Sequence, residues 1–385
     1  MRVALVIERM APSYGGKETS TAQMAVALTG RGCDVSIICQ KALWEHPGVS
    51  VIALGARGAT RTARLRNFIA DIERELTPGR WDIVHATLPV PGANVYQPRG
   101  GTVPAQIAAS RRRRSSLGAA LSGMFEPLNR CRTHMGKLER RVLADESVTC
   151  LAVSAMVADE FQDYYSRRDR VRVVYNAVDL PPVDDQQRAD WRQKIRFVLR
   201  VSPDDPVFVT IARNFPLKGV NEAIIAFAEW LDRTRFRTNA RLVVVGRDHV
   251  EGYQRIAGMR QAGRHVVFMP PTDDVFRYYA AADACVLLSW YDPCSRVVLE
   301  ATRWGIPSIT TAYNGASEIL AHGGGIVVPS PDDRQAVMAA YEQLADPAER
   351  SRCADLCRQL APALTIDRHV DELLNVYEGI CREKR

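Results

Sequence analysis

The sequence predicts two successive doubly wound α/β domains. Three observations carry this. Short apolar, β-rich runs recur along the chain, helical patterns separate them, and a Pro- and Asp-rich stretch interrupts the alternation near the middle. Runs that are apolar on both faces belong to parallel strands covered by helices. Strands that alternate with helices wind into an open parallel sheet.

In the first half the runs are "RVALVIE" (2–8), "DVSIICQ" (34–40), "VSVIALG" (49–55), "WDIVHAT" (81–87), "VTCLAVS" (148–154) and "VRVVYNA" (171–177). The second half has "PVFVTIA" (206–212), "ARLVVVG" (240–246), "HVVFMP" (265–270), "ACVLLSW" (284–290), "PSIT" (307–310) and "GGIVVP" (324–329). Helices fit "TAQMAVALTGRG", "NEAIIAFAEWLDR" and "RVVLEATRWG", the first and last closing on glycine. The boundary falls at "DLPPVDDQQRADW" (179–191), followed by the turn signal "VSPDDP". The expected domains are 1–180 and 196–364. The tail 365–385 is an amphipathic helix that by its own pattern could pack on either domain, and it is placed back on the first. One segment departs from the alternation. Residues 108–141 form a basic helical insertion that opens on the run Arg111–Arg114. It reads either as a solvated helical face or as a basic amphipathic surface for anionic lipid head groups.

The chain has 385 residues, enough for two domains each burying its own core. The formal net charge of +7 points to anionic partners. Basic residues do not interleave with aromatics as in single-strand binders, so nucleic acid is not expected. The nine cysteines form no CxxC pair, so neither a zinc site nor a disulfide framework is expected, and reduced thiols in the cytoplasm are. The opening "MRVALVIERM" has too short an apolar part for a signal peptide and reads as a first buried strand.

Ligands of such sheets bind beyond the carboxyl ends of the strands. Gly15-Gly16 follows the first strand and leads into a helix. Close backbone approach and free helix N–H groups suit a phosphate there, although a plain βα turn looks the same. The dinucleotide fingerprint GxGxxG is absent from this turn, which argues against a dehydrogenase. After the first strand of the second half, Arg213 and Lys218 flank a turn and Gly219 opens a helix, a suitable diphosphate clamp. In "WYDPCSRVVLEA", Asp292 follows a strand, Pro293 favours a helix start, Ser295 and Arg296 fall in the first turn, and Glu300 comes later. The two acids are either hydroxyl-binding groups or a helix cap and a solvated acid. His85 ends the strand "WDIVHA". It is either a sugar or transition-state partner or a satisfied loop histidine. There is no DxD and no metal-ligand spacing, so no metal is expected.

Taken together, these residues resemble the retaining GT-B glycosyltransferases of glycosyltransferase family 4. The resemblance rests on Gly15-Gly16, "VVYNAVDL" (173–180), Arg213-x4-Lys218-Gly219, "VVVGRD" (243–248), "YYAAADACVLLSWYD" (278–292) and the acid-x7-acid element ending "VVLEA". It covers essentially the whole chain. "NVYQPRGG", the basic insertion and "LERRVLADES" are most similar to the lipopolysaccharide core glucosyltransferases, which add glucose to heptose. The family has Glu at the first acid and this chain has Asp292.

The resemblance implies two Rossmann-like domains facing across a cleft. It implies metal-independent, front-face transfer of a hexose, glucose foremost, from a UDP-sugar to a lipid-linked or polysaccharide acceptor. No resident cofactor is implied, because the nucleotide sugar is substrate. Arg213 and Lys218 would hold the diphosphate. Asp292, with N–H groups near Cys294, Ser295 and Arg296, would grip the donor sugar. Glu300 would bind the ribose, the loop 269–274 would lie near the base, and Gly15 and Gly16 would let the first domain approach the phosphate. The enzyme would be cytoplasmic, peripheral at the inner membrane face through Arg111–Arg114. A nucleotide-sugar epimerase and a non-catalytic nucleotide-sugar binder are the alternatives on the same fold.

Overall fold

The structure, a computed structural model, describes residues 1–113 and 129–384. The chain divides into two compact units, Met1–Asp179 with Thr365–Arg385, and Leu180–Leu364.

The first unit is built on strands β1 (Arg2–Val6), β2 (Arg9–Met10), β3 (Asp34–Cys39), β4 (Lys41–Ala42), β5 (Val49–Ala53), β6 (Ile83–Ala86), β7 (Val95–Tyr96), β8 (Thr149–Ala152) and β9 (Val171–Val173). Seven of them form one sheet in the order β5-β3-β1-β6-β7-β8-β9, and β2 pairs with β4. Every pairing is parallel. The strands β2, β4 and β7 are two residues each, too short to leave a periodicity in the sequence. Thus "NVYQPRGG", which is not among the strand runs read from the sequence, itself contains β7.

Both faces of β1 are buried, which is why its run is continuously apolar. Val3, Leu5 and Ile7 pack with Met24, Ala25 and Leu28 of the helix Gly16–Gly30 and with Val370, Leu373 and Tyr377 of the helix Ile366–Glu383. Ala4 and Val6 face Leu65, Phe68 and Ile72 of the helix Arg61–Glu75. The C-terminal helix therefore belongs to the first unit. Polar ties hold it there: Arg31 pairs with Asp367 and Asp371 at 3.0 and 3.2 Å, and His369 Nδ1 lies 2.9 Å from the Tyr175 carbonyl.

The second unit has a six-stranded sheet of β10 (Val207–Arg213), β11 (Arg241–Arg247), β12 (Val266–Met269), β13 (Ala284–Leu287), β14 (Ser308–Thr311) and β15 (Gly325–Val328). Its order is β12-β11-β10-β13-β14-β15, all parallel. One face packs an aromatic cluster in which Phe208 meets Tyr341 edge-on at 4.9 Å, joined by Phe227 and Trp230. The other face sets Val207 and Val209 against Tyr279 and Trp304. The strand order reverses between β10 and β13. In a doubly wound sheet that reversal opens a crevice at the carboxyl edge, and ligands bind there. Among the described residues no helix is long and apolar enough to cross a membrane.

Candidate active site

Arg213 closes β10 at the carboxyl edge and is exposed. The chain then turns tightly. Asn214 takes a left-handed φ of 57°, and its carbonyl accepts the Leu217 and Lys218 N–H groups at 3.0 and 3.2 Å. The Asp248 carboxylate accepts the Phe215 N–H at 2.8 Å, and the Leu217 carbonyl accepts Trp290 N–H at 2.9 Å. That last bond ties the turn to the segment leaving β13.

Gly219 caps the helix Val220–Arg233 at φ 64°. A Cβ there would lie 2.0 Å from the Leu288 carbonyl oxygen, so only glycine lets the turn press so closely on the neighbouring strand's extension. The close approach brings Lys218 to Asp292, 74 residues away. The Lys218 ammonium pairs with the Asp292 carboxylate, their side chains 22% and 13% exposed. At that burial the pair is only partly screened by solvent.

Asp292 is not a helix cap. The helix runs Arg296–Arg303 with Ser295 as its N-cap, and Pro293 lies ahead of it rather than at its first position. The Ser295 side chain accepts no N–H from the first turn. First-turn N–H groups have no partners within their own helix and carry partial positive charge, so this end suits an anion beside Lys218. The backbone of Asp292 is held by the loop after β14. Its N–H donates to Tyr313 and its carbonyl accepts from Gly315, both at 2.9 Å.

Glu300 is not a solvated acid. Its side chain is 12% exposed and accepts bonds from Arg296 and from the Tyr279 hydroxyl, each at 3.2 Å. Burial pushes its carboxyl above the usual range, with Arg296 and then Tyr279 pulling the other way. Thus Lys218, Asp292, Ser295, Arg296 and Glu300 follow one another along a single edge of the second sheet. Met269 ends β12 at the same edge, and Thr272 accepts the Asp274 N–H at 3.1 Å in the loop beyond.

Gly15 and Gly16 lie in the first unit, where Gly15 precedes the helix Gly16–Gly30 with no side-chain cap. Gly15 is extended, at φ 173°, so its backbone alone does not demand glycine. His85 is not a loop residue. It sits in β6, fully buried, with Nδ1 2.6 Å from the Tyr377 hydroxyl. Burial pushes its pKa down to about 3, so it is neutral and built into the core. Arg111 and Arg112 are exposed in the last turn of the helix Val103–Arg112, while Arg114 lies outside the described residues. Among the described residues no group of three His, Cys, Asp or Glu is set to hold a metal.

Asn314 was not legible as a site residue. "YNGA" signals only a turn. Its side chain is fully buried and accepts the Ser295 N–H at 3.2 Å, directly beside Asp292.

Known proteins bear on this geometry. Residues 14–181 match the family model described as Glycosyltransferase Family 4, and residues 192–359 the model Glycosyl transferases group 1. A D-inositol 3-phosphate glycosyltransferase of Jonesia denitrificans is 26% identical over 94% of this chain and 91% of its own. The lipopolysaccharide glucosyltransferase WaaG of Escherichia coli is 23% identical over 86% of each. A crystal structure of WaaG, described as a glycosyltransferase involved in lipopolysaccharide biosynthesis, superposes with a TM-score of 0.80 at 21% identity, covering 98% of this chain and 100% of that one. Anabaena HepE in complex with UDP and glucose has a TM-score of 0.69 at 16% identity, covering 97% and 99%. The two family models follow one another along most of the chain, each on one of the two Rossmann-like units, and the protein belongs to the glycosyltransferases of the GT-B fold.

Proposed function

We propose that the protein is a retaining glycosyltransferase that moves a hexose, glucose foremost, from a UDP-sugar to a glycan or lipid-linked glycan of the lipopolysaccharide-core type. The observation that carries the reading is the Lys218–Asp292 pair, set between two helix starts at the switch point. It joins a cation suited to a diphosphate with an acid suited to sugar hydroxyls.

Departure of the nucleoside diphosphate leaves an oxocarbenium-like sugar and gathers negative charge on the leaving phosphate. Lys218, Arg213 and the N–H groups opening the helix Arg296–Arg303 stabilise that charge. Asp292 orients the sugar through its hydroxyls, and Glu300, already desolvated, takes the ribose. The acceptor hydroxyl attacks from the face that the phosphate leaves, and the phosphate takes its proton, so the configuration is retained. The protein groups supply the charge stabilisation in this path, and no step is assigned to a metal.

HepE was crystallised with UDP and glucose, and WaaG is named as a lipopolysaccharide glucosyltransferase. Those names support the donor and acceptor classes. Relatives named for inositol 3-phosphate make phosphorylated inositol the second acceptor to try. The test is a screen of UDP-glucose, UDP-N-acetylglucosamine, UDP-galactose and GDP-mannose for binding and slow hydrolysis, with the released anomer read by NMR. UDP-glucose should bind best and release the α-anomer. Epimer formation without acceptor would instead identify an epimerase, and binding without turnover a non-catalytic binder.

The first unit carries 29 Lys and Arg against 22 Asp and Glu, the second 22 of each, so the whole excess charge sits on the first. This supports contact with an anionic membrane surface at the cytoplasmic face through Arg111–Arg114. Replacing those four arginines by serine should lower binding to vesicles containing phosphatidylglycerol by about 100- to 1,000-fold, at roughly 1 kcal/mol per charge. Unchanged binding would leave the insertion a solvated helical face.

A further inference from the structure

We propose that Asn314 is the positioning residue that aims Asp292 and the helix start beside it at the donor sugar, so that sugar recognition depends on a side chain that never meets the sugar. The inference rests on the proposed UDP-sugar donor.

Asn314 follows β14, the strand next to β13, and its side chain is fully buried. Its Oδ1 accepts two backbone N–H groups, Ser295 at 3.2 Å and Ala316 at 3.1 Å. Its Nδ2 donates to the Thr310 hydroxyl at 2.9 Å, and that hydroxyl donates in turn to the Leu287 carbonyl at 2.9 Å. Thr311 donates to the Ser289 carbonyl at 2.6 Å. The chain leaving β13 is thus fastened at Leu287, Ser289 and Ser295 by side chains of 310–314, and at Asp292 by the backbone of Tyr313 and Gly315.

Ser295 caps the helix Arg296–Arg303, and its own side chain caps nothing. Asn314 therefore stands in from another loop, fixing the N-cap residue while leaving the first-turn N–H groups uncapped by Ser295. A local cap on that first turn would occupy N–H groups that an incoming phosphate needs. Fastening the loop from behind fixes the N-cap residue without using its side chain as a cap. Asp292 is three residues from Ser295, so the same bond limits where its carboxylate can point. A buried amide with both ends engaged admits one arrangement and penalises others. Lys218 meets that carboxylate from the opposite side of the crevice.

The test uses the full chain with Asn314→Ala and Asn314→Asp. The carboxylate introduced by Asn314→Asp still accepts both N–H bonds at a helix start but cannot donate to the Thr310 hydroxyl, so the second variant restores one end of the amide and is a partial rescue. Three readouts are taken: UDP affinity, UDP-glucose turnover, and the alkylation rate of Cys294 by iodoacetamide followed by mass spectrometry. Cys294 lies inside the held loop and is 5% exposed. N314A should weaken UDP binding by about 2- to 5-fold, because the helix start is held less firmly, lower UDP-glucose turnover by a larger factor of about 50-fold or more, and raise Cys294 alkylation by about 10-fold or more. N314D, which keeps the bonds to Ser295 and Ala316 but not the one to Thr310, should recover part of both losses.

UDP affinity and turnover falling by the same factor in N314A would mean general collapse of the site and overturn the proposal. So would unchanged turnover with unchanged alkylation, or an N314D no better than N314A. A wild-type protein inert to every nucleotide sugar would defeat the proposed donor instead. The alkylation ratios alone would then decide whether Asn314 holds the loop.

Discussion

Lys218→Ala is expected to lower kcat/KM for sugar transfer by about 100- to 1,000-fold while the protein still folds, the usual effect of removing one preorganised group from a developing anion. Two consequences add. The leaving diphosphate loses a cation held at the switch point. Asp292, its side chain 13% exposed, loses its ammonium partner. The cost to folding is about 1–3 kcal/mol, because the Asp292 carboxylate is left largely buried without its partner. Circular dichroism and a thermal melt alongside the transfer assay separate the two effects. Near-normal transfer by K218A would sink the assignment of Lys218 to the diphosphate.

Gly219→Ala should act on the fold first. Alanine at φ 64° costs about 1–2 kcal/mol. The new methyl would lie 2.0 Å from the Leu288 carbonyl, a backbone atom that moves only if the extension of β13 moves. Overpacking of this kind adds about 1–3 kcal/mol, so a loss of roughly 3 kcal/mol or more is expected. For a unit of this size that lowers the midpoint of its melting by about 6–12 °C. Gly252 and Gly258, within the helix Val250–Met259, provide the control. A Cβ at either meets nothing within 4 Å, and alanine there should stabilise by about 0.5–1 kcal/mol. If G219A and G258A melt alike, the close approach of the turn to Leu288 is not a constraint on the fold. Because the displaced carbonyl lies two residues before Trp290, whose N–H anchors the Lys218 turn, G219A should also lose transfer activity in proportion.

The positional logic of the sheet explains why these two substitutions differ. Lys218 and Gly219 are neighbours in sequence, yet one faces the crevice and the other faces the strand beside it. "LKGV" shows a cation and a helix-opening glycine. It does not show that the glycine is what lets the cation reach an acid 74 residues on.

Much of the fold was legible. All six strands of the second sheet overlap the runs read from the sequence, because parallel strands covered by helices are predominantly apolar, although β14 buries Ser308, Thr310 and Thr311. The recurrence of such runs with helices between them fixes the doubly wound class, since helices must cover both faces. The acid-x7-acid element and the Arg-x4-Lys spacing are local patterns too, and they marked the edge of the sheet that carries the candidate site.

Other features come only from the tertiary structure. The strand β7 is two residues long and has no period to read. The last helix is amphipathic either way, and it is Val370, Leu373 and Tyr377 against β1, with Asp367 and Asp371 on Arg31, that set it on the first unit. His85, at a strand end, read either as a sugar partner or as a satisfied loop histidine. Burial and the Tyr377 hydroxyl make it a core residue. Asp292 read either as a hydroxyl-binding acid or as a helix cap, and the structure excludes the cap and pairs it with Lys218. Asn314 carried no signal of its own in the sequence, and only the fold brings its side chain to Ser295, Ala316 and Thr310. Local sequence determines which segments are strands, helices and turns, because propensity and hydrophobic period act over a few residues. Which of their ends meet is decided by strand order, for in a parallel sheet neighbouring carboxyl ends come from segments far apart in the chain.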